Sequence, residues 1–493
     1  MYVRTTKTKS GATAVQIVSY IRRKTIINKH IGSANTEEQL EFLLETARKY
    51  ILKQSGQRFL LQSQNKDYFL NKYKYTGIKY NFAYEILEDI YKKIGFHKIE
   101  NFCLKDFSII RVFDPSSKQK SLELLNTYFD LSYSKGDMYR KLKALSGQQA
   151  SIEKTCIKFA EKSFNFNFNM VFYDVTTLYF ESFEEDELRK CGFSKDNKHN
   201  QPQIVIGLIV NDEGFPISVQ IFEGSKFEGH TLLPSILRFK KQYTAKDLTV
   251  IADAAMISLD NIKNLRTKRL KYIVGARLGN IKAEVLQKLV RKLNQVDGNT
   301  LRKRTKYGMM ICEFSMKRYK KDMHEFDKQI SKAKQRIKNP SKLLSRFKYI
   351  QKSNNSDFEL NKKLIEKNKK LLGIKGYYTN LRGVSDDKII NHYHNLWKIE
   401  KAFRISKSDL NMRPIFSRKE DMIRIHILIC FVSLAISKYV ELNGHISIKR
   451  FCRLLKSVTR AQMINTITGE KSVMQNEIPA ELKNCLRNLS LSY

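Results

Sequence analysis

Two aspartates stand where apolar runs would deliver them. Met170-Val171-Phe172-Tyr173-Asp174-Val175-Thr176 and Leu248-Thr249-Val250-Ile251-Ala252-Asp253 each carry a hydrophobic stretch into an acid. Singly, each is an ordinary turn or helix-capping aspartate; as a pair on one sheet they outline a site. A third acid comes from residues 386–409, where the pattern predicts one long helix that opens at Ser385-x-x-Lys388 and stops before Pro414. Tyr393, Glu400 and Lys407 recur there every seven residues, a spacing that returns to within about 20° of one direction on an α-helix. One face then presents a phenol, a carboxylate and an ammonium, with Arg404 a turn beyond Glu400 and Leu396, Trp397 and Phe403 available for docking. The plainer reading is a solvated face with a Glu400–Arg404 pair. Three carboxylates from separate elements suit hard divalent cations. Two such ions about 4 Å apart can serve both the attacking and the leaving oxygen of a phosphodiester. His392 and His394 lack metal-ligand spacing and are expected at the surface or facing nucleic acid.

The elements that must position these acids follow from periodicity. Gln203–Val210 and Pro216–Phe222 read as strands joined by an Asn211-Asp212-Glu213-Gly214 turn. A helix near 231–242, the strand before Asp253, a helix near 257–268 and the strand Tyr272–Ala276 complete an α/β run with acids at two strand ends. Residues 300–375 are Lys-rich. Leu343, Leu344, Phe347, Ile350, Leu364, Leu371 and Leu372 recur there at helical spacings, so a charged helical or hairpin-like insertion is expected, after which Gly376–Asn380 returns to extended chain. Upstream, 1–35 reads as a small β-hairpin with an Arg22-Arg23-Lys24 turn. Thr36-x-x-Gln39 is a capping box opening a helix to about Leu52, and 36–165 is mostly helical and basic, the expected DNA-binding region. The run Ile425–Ile436 suits a buried helix. The expected organisation is 1–35, 36–165, 166–299, 300–375, 376–440 and a helical 441–493.

Bulk properties narrow the partner. Lys plus Arg is 90 against 49 Asp plus Glu, a net charge of +41, and a 42% hydrophobic, 28% charged composition is globular. Such a field favours a nucleic-acid backbone, although abundant Lys, Ile and Asn also fit an A/T-rich coding sequence. Seven cysteines without a CxxC pair argue against a disulfide framework or zinc finger and for a reducing compartment. The polar start offers no signal region, so a cytosolic protein is expected.

The segment Tyr393-His394-Asn395-Leu396-Trp397-Lys398-Ile399-Glu400-Lys401-Ala402-Phe403-Arg404-Ile405-Ser406-Lys407 resembles the Tyr–Arg–Glu–Lys signature of insertion-sequence DDE transposases of the IS-four type. Tyr393, Glu400 and Lys407 fit that spacing; Leu396 occupies the Arg position, and Arg404 resembles the arginine of a subgroup variant. Phe222-Glu223-Gly224, Ala252-Asp253-Ala254 and Asn411-Met412-Arg413-Pro414-Ile415 are similar to the same subgroup, and the resemblance spans roughly 168–440.

That resemblance implies an RNase H-like core, a mixed five-stranded sheet with helices, interrupted by an insertion before the Glu-bearing helix. The acid separations, 253 − 174 = 79 and 400 − 253 = 147, agree with such a plan. It also implies Asp174, Asp253 and Glu400 as catalytic metal ligands for two Mg²⁺ (or Mn²⁺) ions, and DNA contacts from Tyr393, Arg404 and Lys407. The partners would be double-stranded DNA, both terminal inverted repeats and target, met by a homodimer in the cytoplasm of a bacterium, associated with the nucleoid and not with a membrane. Two rivals stay open: an RNase H-like nuclease that cuts without joining, and a DNA-binding derivative without catalysis.

Overall fold

The computed structural model describes every residue except 22–23, 56–72, 244, 246, 257, 340–346 and 353–357. Arg22 and Arg23 of the expected turn, and Leu343 and Leu344, lie outside the described residues. The chain divides into two units, one of 1–79 with 459–476, the other of 80–458 with 477–493.

The first unit opens with three antiparallel strands rather than a hairpin: β1 (Tyr2–Lys7), β2 (Thr13–Ile21) and β3 (Lys24–Ala34). Val15 and Ile17 bury one face of β2 together with Ala47 of the helix Glu37–Ser55. That helix begins as a capping box: Thr36 Oγ1 accepts from Gln39 N at 3.3 Å, and Gln39 Oε1 from Asn35 N at 2.9 Å. A fourth strand, β4 (Tyr73–Lys79), ends this part of the chain.

The second unit starts with five helices between Asn81 and Phe164 and then builds its sheet. The strands are β5 (Met170–Tyr179), β6 (Gln203–Val210), β7 (Pro216–Glu223), β8 (Thr249–Ala252) and β9 (Lys271–Gly275). Three more follow: β10 (Thr300–Thr305), β11 (Gly308–Phe314) and, after an excursion, β14 (Ile374–Thr379). The order is β10-β11-β14-β9-β8-β5-β6-β7, so the expected five strands sit together and three others extend the sheet past β9. The β6–β7 turn forms as expected: Asn211 Oδ1 accepts from the Glu213 and Phe215 amides, and Gly214 takes φ +79°, which a side chain would strain.

The excursion between β11 and β14 contains the helix Met316–Lys338, a short hairpin of β12 (Ile350–Lys352) and β13 (Phe358–Leu360), and the helix Lys362–Lys370. Phe326, Ala333, Tyr349, Ile350 and Leu372 give it a small core of its own. The helix Glu420–Gly444 has the length and hydropathy of a membrane span, but 89% of its most apolar window is buried inside the protein. It packs against β7 and the helices Asn81–Ile94 and Phe102–Phe113, which makes it a core helix. Downstream of it, 441–493 is not purely helical. β15 (Arg460–Asn465) and β16 (Lys471–Gln475) alternate weakly and join β4 in an antiparallel sheet of the first unit.

Candidate active site

β5 and β8 run parallel, and their register ends at Tyr173 opposite Ala252, so Asp174 and Asp253 are the next residues on two adjacent strands. Asp253 lies just beyond the tip of β8, where a short 3₁₀ turn, Ala254–Met256, takes over. Asp174 is not at a strand tip. β5 continues to Tyr179, because β6 still pairs with it from Tyr179–Gln203 down to Phe172–Val210. The shorter β8 is what opens the space beside the two acids. A sheet fixes both backbones, which is why strand-borne carboxylates are well placed to hold a ligand.

The expected single helix 386–409 is three pieces. Asp386–His394 is α-helical, and the turn at Asn395-Leu396 tightens to i→i+3 bonds (Leu396 N to Tyr393 O, Lys398 N to Asn395 O). Trp397–Arg404 resumes the α-helix, and Ile405–Asp409 widens into a π-helical turn closed by Leu410 N to Ile405 O. Such irregularities gather at functional sites. The cause is burial: Leu396, Ile399, Ala402, Phe403 and Ile405 all point into the core, and the winding adjusts to seat them. The seven-residue stripe is therefore broken. Tyr393 is buried, while Glu400 and Arg404 are exposed.

Tyr393 donates its phenol to Asp253 Oδ1 at 3.0 Å. Burial, then the charge and hydrogen bond of Asp253, then Glu400 and Asp174, all push its pKa above the ordinary tyrosine value. Of the three acids, Asp253 is the one bonded to this hydroxyl. Gly275 makes this approach possible, since a Cβ there would lie 2.5 Å from the Tyr393 oxygen. Lys375 of β14 lies 4.7 Å from the centre of the same ring. Its pKa is lowered chiefly by burial and Arg318, against the pull of Glu313, Asp253 and Glu400. Asp253, Lys375, Tyr393 and Arg318 line a cavity of about 480 Å³.

The Asp174 carboxyl is pushed up to about 6, mainly by burial, with Asp253 and Glu228 adding to the rise and Lys195 opposing it. Lys195 donates to Val175 O at 2.7 Å and pairs with Glu228 at 3.0 Å. Lys407 reaches Asp196 at 3.3 Å, and Arg413 reaches the same oxygen at 2.5 Å. His394 is half exposed and meets Glu313 at 3.1 Å, and burial lowers the pKa of His392. Among the described residues, no three His, Cys, Asp or Glu side chains are already grouped as a metal cage.

Sequence reasoning did not single out Lys195, Asp196, Glu228 or Lys375. Lys375 carried a usable signal, a lone charge in the apolar strand Ile374–Thr379 that mirrors Asp174 in β5. Lys195 and Asp196 sit in an irregular segment and Glu228 opens a single 3₁₀ turn, both too short for spacing to carry information.

Residues 168–436, more than half of the chain, match the transposase DDE domain family. The chain belongs to the DDE transposase family. Solved structures similar to this transposase include a piggyBac transposase synaptic complex with hairpin DNA, at 9% identity over 83% of this chain and 78% of that one (TM-score 0.37). A Mos1 transposase paired-end complex with the left transposon end, at 9% identity, covers 46% of this chain and 66% of that one (TM-score 0.16). A comparison with curated proteins gives no match. The transposase is a protein of DNA transposition, with an α/β core in which a large mixed sheet carries Asp174 and Asp253.

Proposed function

We propose that this transposase cleaves the ends of its own element and joins the freed 3′-hydroxyls to target DNA, with Asp174, Asp253 and Glu400 as the acidic triad. The observation that carries the assignment is the adjacency of Asp174 and Asp253 at the end of the β5–β8 register, with the Tyr393 phenol bonded to Asp253 and Tyr393 belonging to the same stretch of chain as Glu400. The donors are carboxylate oxygens, which suit Mg²⁺ or Mn²⁺. When bound, a pair of such ions lowers the barrier by stabilising the attacking and leaving oxygens of the phosphodiester.

Tyr393, buried and bonded to Asp253, acts as a positioning residue. The exposed Arg404 lies one turn beyond Glu400, where it can take a phosphate. Lys407 and Arg413 hold Asp196, and a phosphate that displaced that carboxylate would inherit both cations. The Lys-rich excursion and the +41 charge supply the non-specific grip on duplex DNA. The proposal extends to a homodimer on terminal inverted repeats, working at the nucleoid.

The test is cleavage and strand transfer on a labelled duplex carrying the element end, in Mg²⁺. Asp174→Asn, Asp253→Asn and Glu400→Gln should each abolish cutting while end binding in EDTA persists; Glu228→Gln should keep cutting. Activity that survives Glu400→Gln and is lost with Glu228→Gln would move the third acid to Glu228, whose charge also acts on Asp174. Hydrolysis products without joined products would leave a nuclease.

A further inference from the structure

A second pocket, this one basic, lies in the same unit, between the start of the helix Lys118–Phe129 and the segment 411–426. It encloses about 1110 Å³. Three arginines and four lysines line it against one carboxylate, Asp421. Two of these cations are built in. Arg111 is only 5% exposed, bonds to the carbonyls of Leu410, Asn411 and Ser116, and keeps a buried Nε without a partner. Lys118 donates to Ser417 Oγ at 2.6 Å and to Met422 O at 3.4 Å. Its pKa is pushed down to about 8 by burial and by Arg111. A buried charge that meets only neutral oxygens is costly unless an anion completes it.

Beside this floor, Phe416 is 65% exposed and Tyr139 40% exposed. Arg418 and Lys419 are exposed at the rim. Cations at the base and aromatic faces at the mouth are the combination that holds phosphates and stacks bases of a single strand. A duplex keeps its bases stacked inside and offers no face to an aromatic side chain. The pocket is larger than one phosphate requires.

We propose that this pocket takes unpaired nucleotides of a DNA strand, their phosphates on Arg111 and Lys118 and a base against Phe416. It does not depend on the acidic triad, so it is measured without divalent ions. A fluorescent oligothymidylate and a duplex of equal length are titrated in EDTA against the full chain and against Phe416→Ala and Arg418→Ala/Lys419→Ala variants. The variant positions are exposed, so folding is unaffected by design, and circular dichroism checks it. Phe416→Ala should weaken the single strand about tenfold and the duplex by less than twofold. The double variant should lower the salt slope for the single strand, by about 0.7 for each phosphate no longer neutralised. Photo-crosslinking from 5-iodouracil should map to Phe416 or Tyr139. Equal weakening of strand and duplex, unchanged affinity for both, or crosslinks confined to other surfaces would overturn the proposal.

Discussion

The hydrogen bond from Tyr393 to Asp253 sets up the sharpest test of the site. Removing one oxygen in Tyr393→Phe deletes a 3.0 Å bond to a carboxylate and leaves the ring in its buried seat. A hydrogen bond to a charged partner contributes about 1.5–3 kcal/mol, which at 1.4 kcal/mol per decade is about 10- to 150-fold. Asp253 is exposed, so water replaces part of the missing bond, and the lower end applies. Single-turnover cleavage of an end duplex should therefore slow about tenfold, with a weaker apparent Mg²⁺ affinity. The dissociation constant for the same duplex in EDTA should stay within twofold. A phenol that gripped a DNA phosphate would behave in the opposite way, raising that dissociation constant while cleavage at saturating DNA stayed unchanged. That second result refutes the positioning role.

Gly275→Ala attacks the same bond from behind. Its Cβ would lie 2.5 Å from the Tyr393 oxygen and 3.0 Å from Ala254 Cβ, so cleavage should fall as in Tyr393→Phe, with about 1–3 kcal/mol lost in urea denaturation from overpacking. His426 is buried against Met412 O at 3.0 Å, and burial, Arg111 and Lys118 hold its pKa well below 6.5. The unfolded chain takes up that proton first, so stability should be complete above pH 6.5 and fall below it by up to about 1.4 kcal/mol per unit. His426→Gln should flatten that limb in denaturation series from pH 7.5 to 5. Glu153, fully buried, accepts from Ser218 Oγ, Val219 N and Gln149, and pairs with Arg238 at 2.9 Å. Glu153→Ala should cost roughly 3–5 kcal/mol by calorimetry or urea titration.

The strands around Asp174 and Asp253 were readable because each is an unbroken apolar run bounded by turn residues, the pattern of a strand covered on both faces. β10 was hidden by its own role at the sheet edge. Arg302, Lys303 and Arg304 are exposed, as edge strands are when they resist further pairing, and their charges imitate a solvated insertion. β4 and β15 pair across nearly the whole chain, Lys79 with Arg460, and no local signal reports a partner so distant. The break at Asn395-Leu396 was equally silent. Neither residue is a helix breaker, and the tightening comes from seating Leu396 in the core, a tertiary demand that overrides propensity. The same burial accounts for leucine where the resemblance led one to expect arginine.

These two kinds of support divide the proposed triad unequally. Asp174 sits inside the β5–β6 ladder and cannot shift without dragging a strand, and Asp253 follows directly on the last paired residue of β8, Ala252. Glu400 stands on eight residues of helix between a tightened turn and a widened one, with its backbone pinned by Ile399, Ala402 and Phe403 and its own side chain in water. Among the described residues it makes no ion pair. Bringing such a carboxylate onto a ligand costs mainly rotamer entropy, at most about 2 kcal/mol. Moving a strand would break ladder bonds worth about 1 kcal/mol each, several at a time. The third acid is therefore the cheap one to recruit.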